Sequence, residues 1–301
     1  MNSYPFKTLR DLLRYAVTRF QQEQLFFGHG NNNAYDEAAY LLLHGLHLPL
    51  DTLEPFLDAI LLPDEMMHLM TLINRRIKER IPAAYLTQEA WMHGLRFYVD
   101  QRVIVPRSLI GELLQEKLAP WLPEPDGIQQ VLELCTGSGC LAIMAALVFP
   151  QAQIDAVDIS DDALQVAQRN RQDYQLEERI TLYQGDLYQA LENAQASHHQ
   201  RTVYDLIITN PPYVNEQAMQ NLPAEYLAEP RLALAGGLDG MDLVRRIIAQ
   251  AKTYLSPQGS LIVEIGNEYE HVMRAFPDLP FTWLPTSAGE DQVFLLHAQD
   301  L

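Results

Sequence analysis

The sequence predicts an α/β protein: a mostly parallel sheet covered by helices on both faces, preceded by a small helical domain. Three observations carry this. Apolar residues recur at helical spacing through the first hundred positions, short apolar runs alternate with helical stretches from residue 108 onward, and the last two apolar runs lie too close together for a crossover helix.

Leu9, Leu12, Leu13, Val17 and Phe20 share one helical face, as do Leu69, Leu72, Ile73 and Ile77, while Pro63-Asp64-Glu65 places a proline and two acids in a first helical turn. Residues 1–92 are therefore expected to form a helical domain. Around Gly94 the pattern becomes extended. Residues 95–100 and 103–105 read as two strands closed by Pro106, so 93–107 is expected to be a β-ribbon connector. Residues 108–301 form the larger domain, with strands expected over 131–134, 154–158, 180–183, 204–209 and 261–265 and helices near 139–149, 160–174, 239–255 and 268–276. The runs 281–284 and 293–297 complete a seven-stranded sheet whose last strand is antiparallel, and the polar segment 192–203 is expected to be a surface excursion.

Composition narrows the function. The chain has 301 residues, with 39 acidic against 21 basic side chains, a net charge of −18. Residues 101–301 hold most of the excess, 27 acids against 12 bases. Such a field repels phosphate backbones and suits a basic partner, so stable nucleic-acid binding is not expected. The longest apolar run, 141–149, falls far short of the roughly 20 residues that span a bilayer, and no basic-then-apolar leader opens the chain. Neither membrane insertion nor secretion is expected. Two cysteines, Cys135 and Cys140, allow no disulfide framework, the histidines form no metal-ligand spacing, and the setting expected is a reducing cytoplasm with no metal site. Arg75, Arg76, Lys78 and Arg80, at helical spacing, are expected to form a solvated face.

Directly after the first strand of the sheet comes Cys135-Thr136-Gly137-Ser138-Gly139-Cys140, opening into an apolar helix. Glycines there let the backbone turn sharply and approach a ligand near free helix N–H groups. The next strand ends in Asp158, 21 residues after Gly137, where a carboxylate can accept two ribose hydroxyls. An adenosine-bearing ligand is implied. Gly137-x-Gly139-x-x-Ala142 also fits a dinucleotide fingerprint, but no Lys or Arg occurs from 118 to 168, and Glu133 suits an ammonium or sulfonium better than two phosphates. S-adenosylmethionine carries both cations. Asp186, past the third strand, can meet an adenine edge or cap a helix.

After the apolar strand 204–209 stands Asn210-Pro211-Pro212-Tyr213. Two prolines hold the chain extended and fix the direction of Asn210 and of nearby carbonyls, so the edge offers acceptors from Asn210 and Pro211 to an N–H₂ group, with Tyr213 beside a flat substrate. A planar amide or aromatic amine is the implied methyl acceptor. Its delocalised nitrogen needs orientation more than a strong base.

Glu133-x-x-x-Gly137-x-Gly139, Asp158, Asp186 and Asn210-Pro211-Pro212-Tyr213 resemble the successive motifs of class I S-adenosylmethionine-dependent methyltransferases, whose fold is Rossmann-like. Gly94-x-x-Phe97-Tyr98-Val99 through Val105-Pro106-Arg107, Glu229-Pro230-Arg231-x-Ala233-Leu234, Asp239-Gly240 and Glu264-Ile265-Gly266 extend the likeness to the protein-glutamine methyltransferase family over nearly the whole chain. Phe27-Gly28-His29-Gly30, Pro106-Arg107-Ser108-Leu109-Ile110-Gly111-Glu112 and the Cys135–Cys140 loop resemble that family's ribosomal branch more than its release-factor branch, although Cys135 replaces the superfamily's usual first glycine.

The resemblance implies an N-terminal domain for substrate recognition and a cofactor set of Glu133, Thr136, Gly137, Gly139, Asp158, Asp186 and Asn210. It further implies a substrate set of Asn210, Pro211, Pro212 and Tyr213, with Asn210, Pro211 and Tyr213 as the catalytic residues. The implied reaction is direct displacement, the glutamine amide nitrogen taking the methyl of S-adenosylmethionine, on the basic third large-subunit ribosomal protein (L-three), free or in an assembly intermediate. Glutamine methylation of peptide chain release factors and adenine methylation of nucleic acid are the alternatives. An oxidoreductase reading rests on the glycine loop alone and gives Asn210 no role. Phe97 is expected in the core; Arg107 anchors a carboxylate or pairs within the acidic domain, and Glu264 caps the substrate pocket or is a solvated strand end.

Overall fold

The computed structural model describes residues 6–122, 124–195 and 202–301. It opens with four helices: α1 (Leu9–Gln22), α2 (Ala34–Gly45), α3 (Pro63–Glu79) and α4 (Ala83–Thr87). Thr8 caps α1 by accepting the Asp11 N–H, and the Asp11 carboxylate returns to the Thr8 N–H. Leu12, Ala16, Phe20, Ala38, Leu42, Leu69 and Ile73 close a dry core between the first three helices.

The basic run on α3 corrects the expectation of a wholly solvated face. Arg75 is solvated and pairs with Glu79 one turn on, but Arg76 is only 1% exposed. Its guanidinium donates to Glu37 at 2.6 Å, to Glu225 at 3.2 Å and to the Phe26 carbonyl at 2.8 Å. Helical periodicity located the residue on α3; the two acids that draw it inward lie 39 and 149 positions away.

The ribbon is also displaced from its expected place. Strands β1 (Glu89–Met92) and β2 (Leu95–Tyr98) pair antiparallel through a two-residue turn at His93 and Gly94, both at positive φ as such hairpins require. Residues 103–105 are not a strand: the Val103 N–H turns back to the Asp100 carbonyl, and the Val105 N–H donates to the Glu229 carboxylate at 3.0 Å. A side chain takes the bond that a ladder would have used.

Then follow α5 (Ile110–Gln115), β3 (Gln130–Leu134), α6 (Cys140–Val148), β4 (Gln153–Asp158), α7 (Asp161–Asp173), β5 (Ile180–Gln184), α8 (Gln189–Gln195), β6 (Tyr204–Thr209), α9 (Glu216–Met219), α10 (Asp242–Tyr254), β7 (Leu255–Glu264), α11 (Tyr269–Ala275), β8 (Thr282–Trp283) and β9 (Val293–His297). The polar excursion expected at 192–203 falls partly on 196–201, outside the described residues. The sheet order is β5-β4-β3-β6-β7-β9-β8, parallel from β5 to β7, with β9 antiparallel to both neighbours. Alternation sorts the two faces: Val131, Ile154, Leu206 and Ile208 pack against α5 and α6, while Leu132, Val157, Ile207 and Val263 pack against α8 and α10. After β3 the chain builds outward through β4 and β5, then returns to β6 on the other side. That reversal opens a crevice beyond the carboxyl ends of β3, β4 and β6.

Candidate active site

A cavity fills this crevice, and each strand end contributes to it: Cys135 and Gly137 after β3, Asp158 at the end of β4, Asp186 after β5, Asn210 and Pro212 after β6. Cys135 holds φ +59, a left-handed conformation that a glycine would adopt without cost, so the loop keeps the sharp turn despite the substitution. Burial pushes the Cys135 thiol well above the usual thiol range, which leaves it an apolar wall and not a nucleophile.

Asp158 is the central carboxylate. One oxygen accepts the Gly137 N–H at 2.8 Å and the other the Ser160 N–H at 2.9 Å, so two of its roughly four acceptor positions stay open. Burial raises its pKa against the pull of the Ser160, Gly137 and Ile159 backbone N–H groups. The remaining acceptors suit a vicinal diol, and Val157, Ile159, Leu187 and Leu243 give apolar walls for a flat base. Both arginines on the wall are already matched, Arg102 with Asp100 and Arg246 with Asp186 at 2.8 Å. The crevice thus fits an adenosine bearing positive charge better than a pyrophosphate. Asp186 lines the cavity, but its carboxylate is committed to Arg246.

Glu133, Thr136 and Gly139 stand elsewhere than on the wall. Glu133 is buried below the loop, where one carboxylate oxygen accepts the Thr136 hydroxyl and the Ala142 N–H. It ties the loop to the first turn of α6; burial pushes its pKa up to about 8 despite those donors. With no ion-pair partner among the described residues, this carboxyl is held by hydrogen bonds alone. Gly139 serves packing, since a Cβ there would stand 3.1 Å from Ala167 Cβ on α7. Asn170 on α7, which the sequence did not reveal, grips the loop from behind: its amide donates to the Ser138 carbonyl at 2.8 Å and bonds both polar backbone atoms of Tyr98.

On the acceptor side, Asn210 lines the cavity, and its side chain makes no hydrogen bond within the described residues, whereas Thr209 just before it is tied to the Leu134 carbonyl. Pro211 and Pro212 are buried. Tyr213 is clamped by two glycines: a Cβ on Gly240 would meet the Tyr213 carbonyl at 2.2 Å, and one on Gly266 would meet its ring at 2.5 Å. The Asp239-Gly240 and Glu264-Ile265-Gly266 signatures therefore seat this tyrosine.

Phe97 is fully buried in the core, as expected. Arg107 pairs within the protein: its guanidinium bonds both oxygens of Glu229, at 2.6 and 2.7 Å, and lies over the Tyr226 ring. Burial alone would raise the Glu229 carboxyl, but Arg107, bonded to both of its oxygens, more than offsets it and holds it at about 2. The pair secures the segment after α9, whose Pro230, Leu232 and Ala233 line the cavity together with Val103 and Ile104 of the connector. Pro230 and Ala233 belong to the Glu229–Leu234 signature, but that this segment and the connector wall the cavity has no periodic signal in the sequence.

The methyltransferase small domain family matches residues 113–239. Relatives named ribosomal protein uL3 glutamine methyltransferase are 62% identical in Burkholderia pseudomallei, over 99% of this chain and 96% of theirs, and 57% identical in Bordetella pertussis, over 100% and 98%. One from Neisseria meningitidis serogroup A is 54% identical over 98% of this chain and 94% of its own. The chain belongs to the uL3 glutamine methyltransferase family.

Glu264 lies close enough to Tyr213 to act on it electrostatically. It is no solvated strand end: it is 4% exposed, accepting the Ser108 hydroxyl at 2.5 Å and the Leu109 N–H at 2.9 Å, and it fastens the turn just after the connector to β7. Burial pushes it up to about 7. A carboxyl whose folded pKa lies above its unfolded value of 4.5 stabilises the fold below that value and loses the contribution as pH rises toward about 7. Glu264→Gln keeps an acceptor and removes the ionisation. Its stability relative to wild type should rise from pH 5 to 7, by up to about 1.4 kcal/mol per pH unit, and level off above. Urea titrations at three pH values check this; a constant difference would refute the assignment.

Proposed function

We infer that this enzyme methylates the side-chain amide nitrogen of a glutamine in ribosomal protein uL3, the third large-subunit protein, with S-adenosylmethionine as donor. The observation that carries the reading is Asn210 directly after β6, its amide unbonded among the described residues, on the same cavity wall as Asp158 and Gly137. Full-length relatives bearing that activity in their names support the substrate.

When bound, S-adenosylmethionine would supply a sulfonium methyl for transfer to the amide nitrogen, its thioether departing as the neutral sulfide and one amide proton being released to solvent. Asp158 would receive the ribose hydroxyls, Gly137 would let the backbone come close, and Asp186, held by Arg246, would line the adenine end of the cavity. Glu133, Thr136 and Gly139 support the loop from below. Asn210 and the Pro211 carbonyl accept the two N–H bonds of the glutamine amide, which fixes its plane, and Tyr213 packs against that plane. The helices before the ribbon recognise the protein substrate, 93–107 connects, and 108–301 carries the chemistry. Among the described residues no helix is long and apolar enough to cross a membrane.

Labelled S-adenosylmethionine incubated with this enzyme and ribosomal proteins from cells lacking it should label uL3, with a mass increase of one methyl on a glutamine. Label in release factors or in RNA instead would overturn the substrate. Asp158→Asn tests the cofactor role more cleanly than alanine, because the amide oxygen still accepts one loop N–H. Calorimetry should show S-adenosylmethionine binding weakened by about 1.5–3 kcal/mol, the scale for a hydrogen bond to a charged group. Unchanged affinity in the folded variant would remove Asp158 from the site.

A further inference from the structure

A second cavity lies outside the crevice, between the helical region and the ribbon, about 560 Å³ in volume. Asp51 and Glu89 line it together with Tyr40 and Trp91. Trp91 is 45% exposed, a large aromatic surface left toward solvent beside two acids. Its indole N–H donates to Glu89 at 2.8 Å, and the Tyr40 hydroxyl is anchored on the ribbon at the Glu89 carbonyl, so both aromatic walls are fixed before any ligand arrives. Glu89 has Arg96 at 3.4 Å and His44 at 3.9 Å as cationic neighbours, but Asp51 has none among the described residues.

His29 makes this more than an acidic patch. It lines the cavity, is 2% exposed, and neither ring nitrogen has a hydrogen-bond partner. Burying such a group unsatisfied is unfavourable, a cost that a ligand with a donor would relieve. Nε2 lies 3.7 Å from Glu229, the carboxylate that holds Arg107, and the ring packs 4.6 Å from Tyr226. His29 therefore touches both this cavity and the segment that walls the methyl-transfer site. It belongs to Phe27-Gly28-His29-Gly30, a motif to which the reaction itself assigns no task.

We propose that this cavity is a docking site for a basic side chain of the protein substrate, with Tyr40 and Trp91 flanking the cation, Asp51 and Glu89 matching its charge, and His29 accepting one of its N–H bonds. Acids beside exposed aromatic faces are the chemistry that recognises a guanidinium or ammonium, and the net charge of −18 draws a basic protein toward the site. The inference rests on uL3 as the substrate and adds where that protein is held.

Asp51→Lys and Trp91→Ala alter exposed side chains and leave the folded core intact. With purified uL3, each should raise KM about tenfold or more, as loss of an interface anchor does, while kcat at saturation and S-adenosylmethionine affinity stay within about twofold of wild type. Asp51→Lys should also flatten the salt dependence of KM. If wild type methylates uL3 and both variants do so with unchanged KM, the docking site is refuted alone. If wild type does not methylate uL3, the substrate reading falls and the docking site with it.

Discussion

Asn210→Ala is expected to slow methyl transfer about 10²–10³-fold, the scale for removing one preorganised hydrogen bond from a transition state, with cofactor affinity near wild type. The side chain stands at the end of the central strand β6 and makes no bond within the described residues, so its loss unties nothing in the fold. Neighbouring Thr209, Pro211 and Pro212 are buried and hold the backbone without it. Single-turnover rates with saturating uL3, set beside calorimetry of S-adenosylmethionine, separate the two effects. Asn210→Asp should retain part of the rate, because a carboxylate still accepts from an N–H₂ group. An alanine variant as fast as wild type would end the orienting role proposed for this residue.

The sheet was legible in part because two strand ends carry chemically distinctive residues. Asp158 closes β4 and Asn210 follows β6, and runs of buried aliphatics between helical stretches admit few other topologies. What stayed hidden depends on partners distant in sequence. Glu133 resembles a ligand carboxylate until Thr136 and Ala142 are seen to occupy it. Residues 103–105 resemble a strand until Glu229, more than a hundred positions away, takes the Val105 N–H. Asn170 is an ordinary polar residue on a helix until its amide is found beneath the loop. Periodicity reports which face of an element is buried; it carries nothing about the one long-range side chain that satisfies a particular backbone group.

Arg76→Met should destabilise the protein by about 3–5 kcal/mol, the cost of leaving buried charge unpaired. Methionine keeps the apolar stem of arginine but loses the guanidinium over the Phe27 ring, and Glu37, 1% exposed, loses its only ion-pair partner among the described residues. Burial already raises the Glu37 carboxyl against the pull of Arg76, and without the guanidinium it rises further. The variant should therefore regain stability as pH falls and Glu37 takes up a proton, the direction set by a folded pKa above the unfolded one. Glu225 suffers less, since Arg80 at 3.3 Å and the Phe26 N–H at 3.1 Å still hold it. Adding Glu37→Leu to Arg76→Met should recover much of the loss, because removing both members of a buried pair leaves no orphan. The same network joins the helical region to the segment carrying Glu225 and Glu229, so uL3 methylation should fall more than S-adenosylmethionine binding. Urea midpoints within about 1 kcal/mol of wild type for Arg76→Met alone would show that this charge does not bind the two regions together.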